Sequence, residues 1–179
     1  MKFRVSCWFQ LKWNPHPCGY LGNLGEIAGR QCRCSFRQIE NYRQRVSDPL
    51  LDRIDIHVEV PLVPFRELSS DGGGGDSSSV IRGRVMAARE IQLGRLRKSS
   101  ARTNSSMSPR QVKQFCRLDS ESTGYLEHAM EEMGFSGRAH DRILKVARTL
   151  ADLGGSPEIR SNDVLEAIQF RSLDRKLFS

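Results

Sequence analysis

The chain has 179 residues, of which 38% are apolar and 27% are charged, and its net charge is +7. This is ordinary for a soluble globular protein and is enough for one compact domain or two small ones. No apolar run approaches the roughly 20 residues that cross a bilayer, and residues 1–13 lack the apolar centre of a signal peptide. We therefore expect a cytoplasmic protein without membrane contact, in which thiols stay reduced.

Two stretches in the first half alternate apolar and polar residues, as β-strands do. The first covers residues 5–11, and the second covers residues 54–60 and ends at Pro61. In the second stretch, the residues predicted to face the core are Ile54, Ile56, Val58 and Val60, opposite Asp55, His57 and Glu59. One polar face indicates a strand near a sheet edge. Between the two strands, residues 36–46 are predicted to form a basic helix.

A glycine- and serine-rich segment, SSDGGGGDSSS at residues 69–79, separates the two halves. This composition is typical of a flexible linker. The segment lacks the Lys-Ser or Lys-Thr ending of a phosphate-binding loop. The predicted organisation is therefore a partial α/β domain at 1–68, a linker at 69–79 and a helical domain at 80–179.

The second half shows helical periodicity throughout. In the first helix, one face is predicted to carry Ile81, Val85, Ala88 and Leu96. Ser108 and Pro109 indicate the start of a short second helix, because Pro is favoured at the first helical position. Residues 119–133 are predicted to form a third helix. The fold class predicted is thus α/β plus all-α.

Two further helices follow, with clear signals at their ends. Ser136 is predicted to cap the fourth helix, which Gly154 and Gly155 end. Its predicted inward residues are Ile143, Val146, Ala147 and Leu150, and its predicted outward residues are Arg142, Lys145 and Arg148. Ser161 is predicted to cap the last helix, with Asp163 in its first turn.

Positive charge is concentrated in one stretch of the helical half. Between Arg82 and Arg117 there are ten Lys or Arg residues and one acid, Glu90. Such a segment attracts phosphate backbones through counterion release. A solvated helix face followed by a loop would have the same composition, so nucleic-acid binding remains one of two interpretations.

Three of the five cysteines and one histidine lie in a glycine-rich stretch at residues 14–34. His16 and Cys18 precede the glycines, and Cys32 and Cys34 follow them. One His with three Cys is a standard tetrahedral set for Zn²⁺, and a filled set would be structural. The alternative is a glycine-rich loop with inert reduced thiols. The remaining thiols, Cys7 and Cys116, are more typical of small apolar residues.

Three polar residues stand at the ends of predicted elements. Asn14 follows the first strand, where ligands of open α/β sheets bind, although it could equally cap a turn. Arg53 lies between Asp52 and Asp55, which could hold it locally or leave it to reach a neighbour's phosphate. Arg138 lies at a helix start, where the dipole disfavours a cation unless solvent screens it or an anion binds.

Several blocks together resemble one known family. They read FQL…NP.PCG, C.C, YR.R.S.PLLDRIDIHVEVP, RV..AR..Q..R, G.S.RA..RILKVARTLADL and R.LDR, and they run from Phe9 to Arg175. These blocks look like the ComM/YifB family of magnesium-chelatase-like AAA+ ATPases, which are implicated in processing recombination intermediates during natural transformation.

The resemblance implies a role for each of the three polar residues. Asn14 matches the sensor-1 asparagine, which helps position the water that attacks the γ-phosphate. Arg53 matches an arginine finger, which acts across a subunit interface on the transferring phosphoryl group. Arg138 matches the sensor-2 arginine, which reaches the nucleotide and couples the state of the nucleotide to the position of the lid. By the same resemblance, residues 54–60 are the last strand of the AAA+ sheet and residues 80–179 are the helical lid.

The resemblance also indicates which motifs of the family are missing from this sequence. The family's Walker A loop and Walker B carboxylates lie upstream of Asn14, and this sequence has neither. We therefore expect no ATP hydrolysis by this chain alone. The complete protein is expected to be a hexameric motor that uses ATP and Mg²⁺ to act on DNA. The alternative is a non-catalytic, zinc-containing nucleic-acid-binding module.

Overall fold

In a computed structural model of the chain, the structure describes residues 34–43, 54–58 and 75–171. These residues fall into two compact units, one containing 34–43 and the other containing 54–58 and 75–171. The predicted strand at 5–11 and most of the predicted linker lie outside the described residues. The structure therefore bears mainly on the second half of the chain.

Every regular element of the described ranges is helical. The elements are α1 (Phe36–Arg43), α2 (Ser78–Arg95), a 3-10 turn (Asn104–Ser106), α3 (Pro109–Phe115), α4 (Ser120–Met133), α5 (Gly137–Leu153) and α6 (Ser161–Gln169). The predicted all-helical second half is confirmed. The predicted sheet is not observed in 34–43, 54–58 or 75–171, and the rest of it lies outside these ranges.

The helices of the second half begin at side chains that accept hydrogen bonds from the first turn. Ser108 Oγ accepts from Gln111 N, with Pro109 next to it, as predicted. Ser136 Oγ accepts from Ala139 N at 3.2 Å, also as predicted. These caps satisfy backbone N–H groups that have no partner inside the helix.

The last helix begins differently from the prediction. Ser161 is its first residue, and Arg160 occupies the capping position. The Asp163 carboxylate accepts a hydrogen bond from Arg160 N at 2.9 Å, while the Ser161 hydroxyl donates to Glu121 on α4 at 2.8 Å. The Asp163 carboxylate, at the third helical position, thus provides the hydrogen bond to the backbone N–H of the capping residue. The Ser161 hydroxyl is instead used to connect α6 to α4.

Helix α5 lies at the centre of the helical unit. Its buried face carries small and branched residues one turn apart, which lets the neighbouring helices approach closely. The core also includes buried side chains from α2, α3, α4 and α6, namely Leu96, Val112, Leu126, Val164 and Ala167. Burying a Val or Leu side chain contributes about 1.5–3 kcal/mol, so packing of these helices around α5 stabilises the unit.

Helix α2 is only partly covered by this core. Ala88 and Gln92 in its second half are buried, as is Leu96 directly after its end, but Ile81 and Val85 are 47% and 44% exposed. Of the four apolar residues predicted to share one face, only Ala88 and Leu96 are therefore buried in the core. Helix α2 has 18 residues and is about 27 Å long, so its first half extends past the helices that cover its second half.

The segment 54–58 does not form a strand, although it lies within the second predicted one. Its backbone binds the end of the helical unit: His57 N donates to Phe170 O at 2.7 Å, and Arg171 donates to Ile54 O at 2.8 Å. Ile56 and Val58 are exposed, the opposite of the predicted apolar inward face. Hydrogen bonds to residues 170–171 and the contact of Asp55 with Arg142 hold this segment, and none of residues 54–58 is part of a strand.

Candidate functional site

Arg138 is the one described residue among the three polar residues given roles by the family resemblance. It is the second residue of α5, two residues after the Ser136 cap. Gly134 ends α4 with φ of +62°, a left-handed conformation that favours glycine, and the chain turns into α5 two residues later. The local sequence therefore places an arginine at the start of the central helix, as predicted.

The surroundings of Arg138 leave its guanidinium available. The side chain is exposed, the first turn of α5 contains no acid, and the described residues offer Arg138 neither an ion pair nor a side-chain hydrogen bond. A cation at a helix start is disfavoured by about 0.3–1 kcal/mol. A phosphate bound at this position would reverse that effect, because it would meet both the helix N-terminus and a planar, bidentate donor.

The next arginine on the same side of α5 is already paired. Arg142, one turn after Arg138, contacts the carboxylate of Asp55. Asp55 belongs to the segment that directly follows Arg53 in the chain. Arg142 thus attaches segment 54–58 to α5, whereas Arg138 has no carboxylate partner among the described residues.

The other predicted site residues lie almost entirely outside the described residues. These are Asn14 and Arg53, with the proposed zinc ligands His16, Cys18 and Cys32. Cys34, the fourth proposed ligand, is half-buried two residues before α1. In the described ranges, no three His, Cys, Asp or Glu side chains are arranged to hold a metal ion. The sensor-1, finger and zinc assignments therefore stay predictions.

A buried ionic network, which the sequence analysis missed, lies near the carboxyl end of α5. The carboxylate of Asp152 is fully buried and contacts two arginines, Arg95 from α2 and Arg148 from α5. Asn104 also donates to Asp152 at 2.8 Å. This network links α2, the 3-10 turn and α5 through a single carboxylate.

Arg148 was predicted to face solvent, and this prediction was wrong. The residue is 2% exposed. Its guanidinium donates to Asp152 at 3.1 Å and to the backbone oxygens of Ser156 and Pro157 at 2.7 and 2.9 Å. An arginine can be buried when its donors are satisfied in this way. The signal available in the sequence was the four-residue spacing between Arg148 and Asp152.

The charges of this network shift the pKa of Asp152. Burial alone would raise that pKa, but hydrogen bonds from Arg95 and Asn104 and the positive charges of Arg95 and Arg148 outweigh burial, so the pKa is lowered. Burial raises the pKa of the neighbouring Cys116 thiol to about 11. Cys116 is therefore a buried thiol that stays protonated near neutral pH, as its interpretation as a small apolar residue predicts.

The described helices are also too polar or too short to span a bilayer. The only described helix of 18 residues is α2, which carries several arginines. This finding is confined to residues 34–43, 54–58 and 75–171.

Comparison with known proteins identifies the family. Residues 75–171 match the family described as magnesium chelatase, subunit ChlI C-terminal, and residues 1–68 match magnesium chelatase, subunit ChlI. The chain is 38% identical over 178 residues to the competence protein ComM of Haemophilus influenzae, a match that covers 98% of this chain and 33% of that protein.

Two further relatives give the same result. The chain is 40% identical over 164 residues to the uncharacterized protein YifB of Escherichia coli, covering 92% of this chain and 30% of that protein. The corresponding identity to YifB of Salmonella typhimurium is 37% over 164 residues, with the same coverage. The chain thus spans about a third of the length of the curated relatives it matches. The resemblance seen in the sequence blocks is confirmed, and the chain belongs to the magnesium chelatase ChlI family, with ComM and YifB among its relatives.

Proposed function

We propose that this chain is the sensor, finger and lid portion of an AAA+ ATPase that, in its complete form, is an ATP-driven motor acting on DNA. The observation that supports this most directly is the position of Arg138. An exposed arginine without a described carboxylate partner, at the start of the central helix, has the chemistry of a sensor for a phosphate group. Its sequence block also matches the family.

In this proposal, each of three residues acts on the triphosphate. Arg138 donates hydrogen bonds to phosphate oxygens, so that loss of the terminal phosphate removes an anion from the start of α5. Arg53 stabilises negative charge on the transferring phosphoryl group of a neighbouring subunit. Asn14 orients the attacking water. Because the finger must reach a neighbour's nucleotide, the motor is an oligomer, and the family resemblance favours a hexamer.

Metal ions have a restricted place in the proposal. The described residues contain no cluster of three or more candidate ligands, so Mg²⁺ is assigned to no described residue and would be bound elsewhere in the complete protein. Zn²⁺ remains the proposed structural ion of His16, Cys18, Cys32 and Cys34. A thiolate-rich set of this kind suits Zn²⁺ and would not suit Mg²⁺, which prefers oxygen ligands.

A second candidate function is a non-catalytic nucleic-acid-binding module that carries the zinc site. The dense positive charge between Arg82 and Arg117 favours nucleic-acid contact in both candidates. What separates them is an upstream phosphate-binding loop of the form G-x-x-x-x-G-K-[ST] in the same reading frame. Such a loop supports the motor, and a frame without one supports the module.

The proposal is tested by replacing Arg138 in a protein that includes the upstream two thirds found in the relatives. We expect Arg138→Ala to weaken nucleotide binding or its coupling to the lid, and so to change KM, kcat or both in ATP hydrolysis. The matched control is Arg82→Ala, which removes an exposed arginine from α2. If Arg138→Ala hydrolyses and binds ATP as the control does, the sensor role is refuted.

A further inference from the structure

The exposed cations of the basic stretch are grouped at one end of α2 and along α3. Arg97 and Lys98 follow the end of α2, and Lys113 and Arg117 lie on and just after α3. All four are exposed, and none forms an ion pair with an acid of the described ranges. Arg84, near the start of α2, is by contrast paired with Asp76. Four exposed cations without an ion pair in the described ranges therefore lie at the α2–α3 end of the unit, while Arg82 lies exposed at the other end of α2.

A surface cleft is lined by the first of these groups, Arg97 and Lys98, and by residues of α3 other than Lys113. It has a volume of about 430 Å³. One side is formed by residues 94–99, which include Arg97 and Lys98, and the other by three side chains of α3, Gln111, Gln114 and Phe115. We call this feature the basic cleft. It combines cations, amides that donate and accept hydrogen bonds, and an aromatic ring.

One wall of the basic cleft is held in place by the buried network. Arg95 also lines the cleft, and its guanidinium is bound to Asp152 and donates to Asn104 at 3.2 Å. Residues 96–98 follow directly, and Leu96 is buried in the core. The cations at the rim are thus carried by a fixed backbone, which lowers the entropy lost when a ligand binds.

We propose that the basic cleft binds single-stranded nucleic acid, with Arg97 and Lys98 on the phosphates and Phe115 stacked on a base. Cationic grooves that include an aromatic side chain are the usual design for single strands, because every base has a face that can stack. The amides of Gln111 and Gln114 can hydrogen-bond to exposed base edges. Nothing in the described cleft contributes a carboxylate that would repel the strand.

The choice of nucleic acid over an acidic protein surface rests on the proposed function, which supplies DNA as the partner. The aromatic ring provides a second argument, because an acidic peptide would use the cations but not the uncovered part of the Phe115 ring, which is half-buried against the core. The inference goes beyond the proposed function by naming the residues and the single-stranded form of the ligand.

The test measures binding of this chain to a fluorescently labelled single-stranded oligothymidine by fluorescence anisotropy over a series of salt concentrations, without nucleotide. The wild-type chain is expected to bind with an affinity that falls linearly with salt on logarithmic axes. Replacing both Arg97→Gln and Lys98→Gln should weaken binding about tenfold and reduce the magnitude of the salt slope by about 1.4, since each phosphate contact contributes about 0.7.

Two variants complete the design. The matched control, Arg82→Gln with Arg84→Gln, removes the same charge from exposed positions about 20 Å away along α2 and should leave the salt slope unchanged. Phe115→Leu keeps an apolar side chain at the core edge; it should weaken binding about fivefold or more through lost stacking, with the slope unchanged. Circular dichroism of each variant verifies that the helices are folded.

Several outcomes would overturn the inference. It fails if the wild-type chain does not bind the oligonucleotide at low salt, or if the cleft pair and the control pair lose the same affinity. It also fails if Phe115→Leu binds like wild type, or if polyglutamate competes as well as the oligonucleotide, which would indicate an acidic protein partner. None of these results depends on ATP hydrolysis, so the sensor role of Arg138 would be unaffected by them.

Discussion

Replacing Asp152 by asparagine should destabilise the helical unit far more than replacing a surface acid. The carboxylate accepts four hydrogen bonds: two from Arg95, one from Asn104 and one from Arg148. The Asp152→Asn variant would keep the shape of the side chain but would leave two guanidinium groups without their counter-charge. Removing one partner of a buried ion pair typically costs about 3–5 kcal/mol.

The structure favours the lower end of that range. Arg148 would keep its hydrogen bonds to the oxygens of Ser156 and Pro157, and the Arg95 side chain is 14% exposed and can reach water. We therefore expect the free energy of unfolding to fall by about 3 kcal/mol. At about 4–8 °C per kcal/mol for a unit of this size, the Tm should fall by about 12–24 °C.

The assay is urea and thermal unfolding of the chain at pH 7, followed by helical circular dichroism. The matched control is Asp141→Asn on the same helix, because the Asp141 side chain is 43% exposed and its ion pair within the described ranges is with the neighbouring His140. The control should change the free energy of unfolding by about 0–1 kcal/mol. If Asp152→Asn costs no more than Asp141→Asn, the buried carboxylate does not stabilise the unit in the way described.

The same pair of proteins gives a test against pH. The pKa of Asp152 is lowered in the folded state, so its contribution to stability is fully present above the unfolded pKa near 3.8 and is lost as the pH falls through the folded value. The difference in the free energy of unfolding between wild type and Asp152→Asn should therefore be constant above about pH 5. It should disappear only below about pH 3.8. Convergence at neutral pH would contradict the sign of the shift.

Two further predictions concern the core and the turns. Ile143 lies at the centre of α5 with no exposed area, so Ile143→Ala should lower the free energy of unfolding by about 2–5 kcal/mol. Leu153 on the same helix is 44% exposed, so Leu153→Ala should change it by less than about 0.5 kcal/mol. Similar urea midpoints for the two variants would contradict this. Gly134→Ala should destabilise by about 1–2 kcal/mol because of its positive φ, while Gly83→Ala in exposed α2, with open space around it, should stabilise by about 0.5–1 kcal/mol. If both glycine substitutions changed the free energy of unfolding in the same direction, this would be evidence against the left-handed turn at Gly134.

Helix positions in the second half were predictable because their signals are local. Ser108 with Pro109, and Ser136 two residues before Arg138, mark helix starts through hydrogen bonds that span only three residues. The position of Arg138 at the start of α5 followed from the same signal. The cap of α6 was misassigned by one residue, because the Ser161 hydroxyl donates to Glu121 on another helix and Asp163 binds the backbone N–H of Arg160.

The errors came from contacts that are not local. Arg148 is buried because the loop after α5 supplies two carbonyl oxygens, and helical periodicity contains no information about that loop. Ile81 and Val85 lie on the apolar face that the pattern indicates, but a pattern cannot tell how far a neighbouring helix extends. The sequence indicated the positive charge of the basic cleft. Only the fold shows that Arg97 and Phe115 line the same cleft.

The attachment of residues 54–58 to the helical unit has a mechanical consequence. Three contacts, made by Asp55, Ile54 and His57, tie this segment to α5 and to residues 170–171. These contacts join residues 54–58 to the helices, so a movement of α5 would carry this segment with it.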